Sequence, residues 1–356
     1  LDRPIHRPRL GGGVVISCHG CWNIFQAVRF GSETEESVPK MAARSPTRAR
    51  SGLFLEQVMI SMSVFQPLKG IRVVTLALNL PGPVAIRRMV DWGAAVVKVE
   101  PLGGDPMEFA SPAVFDWLHQ GVEIQKQDLK SPAGMEVLQQ LLAGADLFLT
   151  SSRLGGLDRL GLGWEVLSGR YPDLVMVAIV GHEPPGENLP GHDLTYQAHH
   201  GLVSPPGLPR SLFADLGGSL EAVAAALGLL LLRSRGKPTA EQRRRIVSLE
   251  RSAAFFSQPI EWGFTSPAGF LGGGLPQYNL YRCETGWVGL AALEPHFWAR
   301  LQSLLGLDNP TQTELQEVFQ TRSADSWEAW AREHDLPLVA VRDNSTMKSS
   351  HVERKD

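Results

Sequence analysis

Apolar residues repeat along the chain from Gly70 onward in two alternating periods, one suited to strands and one to helices. Ile71 to Leu78 is a run of β-favouring side chains, and Ala95 to Val99 is a second. Strands that are apolar at successive positions are buried on both faces, as in a parallel sheet covered by helices. Between the two runs, Pro81-Gly82-Pro83 predicts a turn and Val84 to Trp92 a helix, which completes a βαβ unit. Asp128 to Gly134 leads into an amphipathic helix carrying Met135, Val137, Leu138, Leu141 and Leu142, and the strand-like Asp146 to Thr150 follows. Leu174 to Val180 is another strand, and Ser219 to Arg233 is strongly helical. After Arg233 the pattern loosens into mixed helices, the Gly272-Gly273-Gly274 loop and two short strands, Tyr278 to Arg282 and Trp287 to Ala291.

The alternation predicts an α/β protein: a Rossmann-like large domain with a parallel sheet over residues 62–235, then a smaller α+β domain over 236–343. Residues 1–61 keep neither period for long and are expected to stand outside the fold as a disordered or non-native leader, with Met62 as the natural start. The polar tail 344–356 is expected to be mobile. A 43% hydrophobic content supports a large core, and a net charge of −3 gives no bulk reason to expect nucleic acid. The longest apolar stretch, Ala222 to Leu232, falls short of the roughly 20 residues of a membrane span, so no membrane partner is expected. Cys18, Cys21 and Cys283 form no disulfide framework, which agrees with a cytoplasmic protein. Cys18 and Cys21 make a lone CxxC, half of a closed zinc site, and no metal is expected. Glu100 ends the second strand where a dinucleotide-binding fold keeps its ribose-binding acid, but Leu78 to Pro83 has one glycine and two prolines where pyrophosphate binding wants GxGxxG.

Three segments carry acid–base chemistry. Asp215 precedes Gly217-Gly218 and the helix from Ser219, so its carboxylate is placed near a helix N-terminus, either as an N-cap or as an ionised base. The two glycines leave the backbone bare, and their N–H groups are candidate donors to a ligand oxygen. His192, between Gly191 and Asp193, falls on a loop or helix start after the proline-rich 184–190, with Asp193 as the expected N-cap of the next helix. Glu294 precedes Pro295 and on its own reads as another cap.

Together, Gly191-His192-Asp193, Phe213 to Gly218 and Ala292 to Pro295 resemble the 2-methylacyl-CoA racemase branch of the family III (CaiB/BaiF-type) CoA-transferases. The resemblance runs from about Leu68 to Asp343 and includes Gln66 to Val74, Ala145-Asp146, Arg159 to Gly163 and Gly273 to Tyr278. It implies that Asp215 is the family's acid, a nucleophile in transferases and one of two bases in racemases. It further implies that His192 is the second racemase base and Glu294 the carboxylate that partners it. The substrate implied is a coenzyme A thioester with no permanently bound cofactor, and the assembly implied is an interlocked homodimer. Arg153 stands near one of the family's basic turns and is a candidate CoA contact, while the usual basic stretch before the DLK motif is replaced by His119 to Glu123. Three readings follow: racemisation of a 2-methylacyl-CoA by two-base α-proton transfer, CoA transfer between carboxylic acids through an aspartyl anhydride, and non-catalytic acyl-CoA binding.

Overall fold

A computed structural model describes residues 65–342. The leader 1–61 with Cys18 and Cys21, the expected start at Met62, and the tail 344–356 lie outside the described residues. In chain order the described elements are β1 (Arg72–Thr75), α1 (Pro81–Asp91), β2 (Ala95–Glu100), α2 (Pro106–Ala110), α3 (Pro112–Leu118), β3 (Val122–Lys126), α4 (Pro132–Ala143), β4 (Leu147–Thr150), α5 (Leu154–Arg159), α6 (Trp164–Arg170), β5 (Val175–Val180), α7 (Asp193–His199), α8 (Phe213–Arg235), β6 (Arg244–Ser248), α9 (Leu249–Glu261), β7 (Tyr278–Arg282), β8 (Trp287–Ala291), α10 (Pro295–Leu305), α11 (Gln312–Phe319), α12 (Ala324–Glu333) and β9 (Leu338–Ala340).

The first six strands form one sheet in the order β3-β2-β1-β4-β5-β6, with every pair parallel. β4 and β5 are buried at every position. Their side chains divide by the two-residue period of a strand: Leu147, Leu149 and Val177 join Ile86, Met89 and Val223 in one core, while Phe148 and Met176 join Leu138, Leu142 and Leu167 in another. Helices α1 and α8 therefore cover one face, and α4 and α6 the other.

Three expectations change. Pro81-Gly82-Pro83 is the first turn of α1 rather than a separate turn; proline is tolerated there because the first N–H groups of a helix have no intrahelical acceptor. Gly82 is required by packing, since a Cβ would lie 2.1 Å from the Ala77 methyl. The boundary expected at 235/236 does not divide the sheets: Arg244–Ser248 is the sixth parallel strand, and α9 packs on α8, so the parallel-sheet layer continues to Glu261. Finally, α8 has the length and apolar composition of a membrane span. It is nevertheless a core helix, because Ala214, Gly218, Ala222 and Ala226 form a buried stripe at four-residue spacing and the helix packs on α1, β5 and β6.

The second sheet is antiparallel in the order β7-β8-β9. Tyr281, Val288, Leu290 and Leu338 face Leu301, Leu315, Phe319 and Trp327 from α10, α11 and α12 in a separate core.

Candidate active site

A cavity of about 490 Å³ opens at the carboxyl ends of β1, β4 and β5. β1 and β4 are adjacent in the sheet, and the chain order reverses between them, which is where open α/β sheets form their ligand crevice. Leu78 to Pro81 and Ser151 to Arg153 supply the strand-end wall, and His192, Tyr196, Leu212 and Asp215 supply the wall from α7 and the start of α8.

The strand-end wall is unsuited to a dinucleotide pyrophosphate. Its backbone donors are already used: Leu78 N–H donates to Ser151 Oγ at 3.0 Å, and Asn79 N–H to the two Asp105 oxygens at 3.0 and 3.2 Å. Behind it lies a buried polar group. Lys98 Nζ donates to Asp105 Oδ2 at 2.6 Å, meets His119 Nε2 at 2.8 Å and faces Glu100 Oε1 at 3.0 Å. Glu100, expected at a ribose-binding position, is thus buried against an ammonium. Its oxygens have no well-aligned hydrogen bond, so the 3.0 Å approach is an ion pair rather than a hydrogen bond.

Two trios among the described residues have metal-ligand types within reach of one another. In Glu100, Asp105 and His119 the central position is taken by the Lys98 ammonium, a built-in cation. In His199, His200 and Glu250, His200 Nε2 pairs with Glu250 Oε1 at 2.5 Å between α7 and α9.

The opposite wall holds His192 and Asp215. His192 is the N-cap of α7 and is held by its backbone: its N–H donates to Thr195 Oγ1 at 3.1 Å, and the Thr195 hydroxyl donates to its carbonyl at 2.7 Å. This leaves the imidazole unused by the cap. Asp193, expected to cap its own helix, instead reaches across to α8, where Oδ1 accepts from Asp215 N–H at 3.1 Å. Its Oδ2 accepts from Gln197, which also donates to Ser211 O at 2.8 Å, so α7 and the start of α8 are tied together.

Asp215 is not the N-cap, for the helix begins at Phe213 and Asp215 falls in its first turn. Its carboxyl is pushed up from 3.8 to about 6, first by burial and then by the Asp193 charge, with His192 acting in the opposite direction. Gly217 and Gly218 are also corrected. Both lie beyond the first turn of α8, where N–H groups bond within the helix. A Cβ on Gly217 would meet the Phe256 ring at 2.6 Å, and one on Gly218 the Leu249 side chain at 2.4 Å, so these glycines bring α8 and α9 together rather than admit a ligand.

Arg153 lines the cavity, exposed, from the N-cap of α5, and has no ion pair among the described residues. Glu294 is the exposed N-cap of α10 and is absent from the cavity lining. The structure adds Tyr196, which sequence reading passed over as an ordinary helical residue. Its hydroxyl is enclosed by Gly181 and Gly191, where a Cβ would lie 2.4 and 2.5 Å away, and burial followed by the charges of Asp215 and Glu250 raises its pKa. The missed signal was the tyrosine four residues after His192, on the same side of a helix start.

The profile of CoA-transferase family III matches residues 68–356. The alpha-methylacyl-CoA racemase of Mus musculus is 32% identical over 279 residues, 73% of this chain and 68% of that protein. The (R)-2-hydroxy-4-methylpentanoate CoA-transferase of Clostridioides difficile is 26% identical over 320 residues, 77% of this chain and 79% of that protein. Among solved structures, a hypothetical protein of Mycobacterium tuberculosis superposes with a TM-score of 0.71 at 22% identity, covering 82% of this chain and 90% of that one, which supports the fold.

Proposed function

Since the chain belongs to CoA-transferase family III, an enzyme family acting on CoA thioesters that includes both transferases and racemases, we propose that it racemises a 2-methylacyl-CoA by two-base proton transfer. The supporting observation is that His192 and Asp215 line one cavity wall, with the imidazole free of capping duty and the carboxyl near 6. A base of that pKa is largely ionised at neutral pH yet takes a proton readily, which is the condition for returning it to carbon. One base removes the α-proton, the thioester carbonyl takes the electron pair as an enolate, and the conjugate acid of the other protonates the opposite face. Donors to the enolate oxygen fall to the first turn of α8, where the N–H groups of Phe213 and Ala214 have no acceptor in the helix. Leu78, Leu80, Met107 and Leu189 give the cavity the apolar surface a branched acyl chain needs.

Glu294 does not line the cavity of its own chain, so in this reading Glu294 reaches His192 from a second copy. The homodimer reading is supported by the exposed apolar side chains of α8 and α9 and the segment after it, among them Leu220, Phe255, Ile260 and Trp262.

The transferase reading uses Asp215 as a nucleophile and has no use for the imidazole. The two separate in one assay: a single enantiomer of 2-methylacyl-CoA is supplied with and without a free carboxylic acid, and products are resolved by chiral chromatography. The proposal requires the other enantiomer without the acid, and formation only of a new CoA ester when the acid is added would refute it.

A further inference from the structure

Asp105 accepts hydrogen bonds from Asn79 N–H and from Met107 N–H at 3.0 Å, and both of these residues line the cavity. Asn79 is held at φ 64°, a left-handed conformation that asparagine tolerates better than most side chains but that still has to be maintained by its surroundings. The anion maintaining it is fully buried, and so is the Lys98 side chain that neutralises it. Lys98 is fixed to the sheet framework, since its strand pairs with β1 at Thr75 and with β3 at Ile124. Its remaining contacts are Glu100 and the Nε2 of His119, whose Nδ1 faces the Phe115 carbonyl at 2.7 Å and so carries the ring proton. Burial, the main effect on His119, lowers its pKa and keeps it neutral, leaving Nε2 to accept from the ammonium.

In a dinucleotide-binding turn the N–H groups after the first strand hold a ligand phosphate. We propose that the Lys98–Asp105 pair is a positioning device for the thioester substrate, with the Asp105 carboxylate standing permanently where a nucleotide fold receives a phosphate and fixing the Asn79 and Met107 rim against which the substrate binds. This rests on the acyl-CoA reading. The Met107 contact also caps α2, whereas the Asn79 contact lies outside any helix, and apolar side chains of similar volume often stabilise a core as well as a buried ion pair does. The turn therefore belongs to the acyl and pantetheine end of the substrate, and the CoA phosphates are bound elsewhere.

The test compares wild type with Asp105→Ala and Lys98→Met in the full chain, using acyl-CoA binding by calorimetry, KM and kcat for inversion, and the thermal midpoint. The expected result is Kd and KM raised about tenfold or more with kcat for the bound substrate within about threefold, and partial recovery of KM when formate is added to Asp105→Ala. Should single changes prevent folding, the combination Lys98→Met, Glu100→Gln and Asp105→Ala buries no charge in this group and gives the same readout. Folded variants with unchanged Kd and KM, or a fall in kcat alone, would overturn the proposal. A wild-type protein that binds no acyl-CoA would instead overturn the reading beneath it.

Discussion

Asp105 and Asp215 stand on opposite sides of the cavity in opposite circumstances. Asp105, behind the strand-end wall, is fully buried with a lysine at 2.6 Å and two backbone donors. Asp215, on the helix wall, has a second carboxylate for a neighbour, and its carboxyl is pushed up to about 6 by burial and by that charge. A carboxylate held by a lysine and two backbone donors shapes the protein around it. An uncompensated one at the mouth of a cavity is costly to fold and chemically available. On the proposed reading the same residue type serves structure on one wall and chemistry on the other, and its partners make the difference.

The largest effect expected from breaking this comparison is on turnover. If the proposed racemisation holds, Asp215→Asn removes one of its two proton-transfer groups and should lower the inversion rate by about 100- to 10,000-fold. The same change should stabilise the fold. A carboxyl raised from 3.8 to about 6 binds its proton more tightly in the folded state, so wild-type stability falls as pH rises through that window. Asp215→Asn should therefore gain up to about 3 kcal/mol above pH 6 and nothing below about pH 4, read by urea unfolding across pH. Lys98→Met should act in the other direction, leaving two buried carboxylates without their cation and costing about 3–5 kcal/mol. A gain in stability from Lys98→Met, or a loss from Asp215→Asn at pH 7, would contradict the contrast.

Smaller changes sharpen it. Inversion kcat/KM should rise with pH through about 6 as Asp215 ionises, and Asp193→Asn should move that limb to lower pH, because the Asp193 charge is one of the two causes of the raised value. An unmoved limb would leave burial as the whole explanation. Gly218→Ala should cost about 1–3 kcal/mol in the urea midpoint through the clash with Leu249, with its functional loss following from displaced helices rather than a lost hydrogen-bond donor.

The large sheet was legible in the sequence wherever burial was two-sided. Ala95 to Val99, Leu147 to Thr150 and Leu174 to Val180 read as strands because they are apolar at all positions but Lys98 and Thr150, both of which are buried. β3 and β6 were hidden by charge: Val122–Lys126 lies at the sheet edge, and Arg244–Ser248 begins with two arginines at the other edge. That concealment moved the expected domain boundary to 235/236. At the site, His192 and Asp215 are legible from local patterns, and both line one wall of the cavity. The roles of Asp193, Lys98 and Asp105 depend on partners 22, 21 and 26 residues away, which no local period encodes. The glycines after Asp215 misled because a bare backbone looks the same in sequence whether a ligand or a neighbouring helix approaches it.

The most direct test of the central claim is deuterium uptake at C2 of a single enantiomer of 2-methylacyl-CoA in deuterated water, followed by mass spectrometry with chiral analysis for wild type, His192→Ala and Asp215→Asn. The account predicts deuterated product of inverted configuration from wild type and none from either variant. Retention of the original C2 hydrogen by wild type, with CoA passing to an added acid in a manner that depends on Asp215 and not on His192, would contradict it.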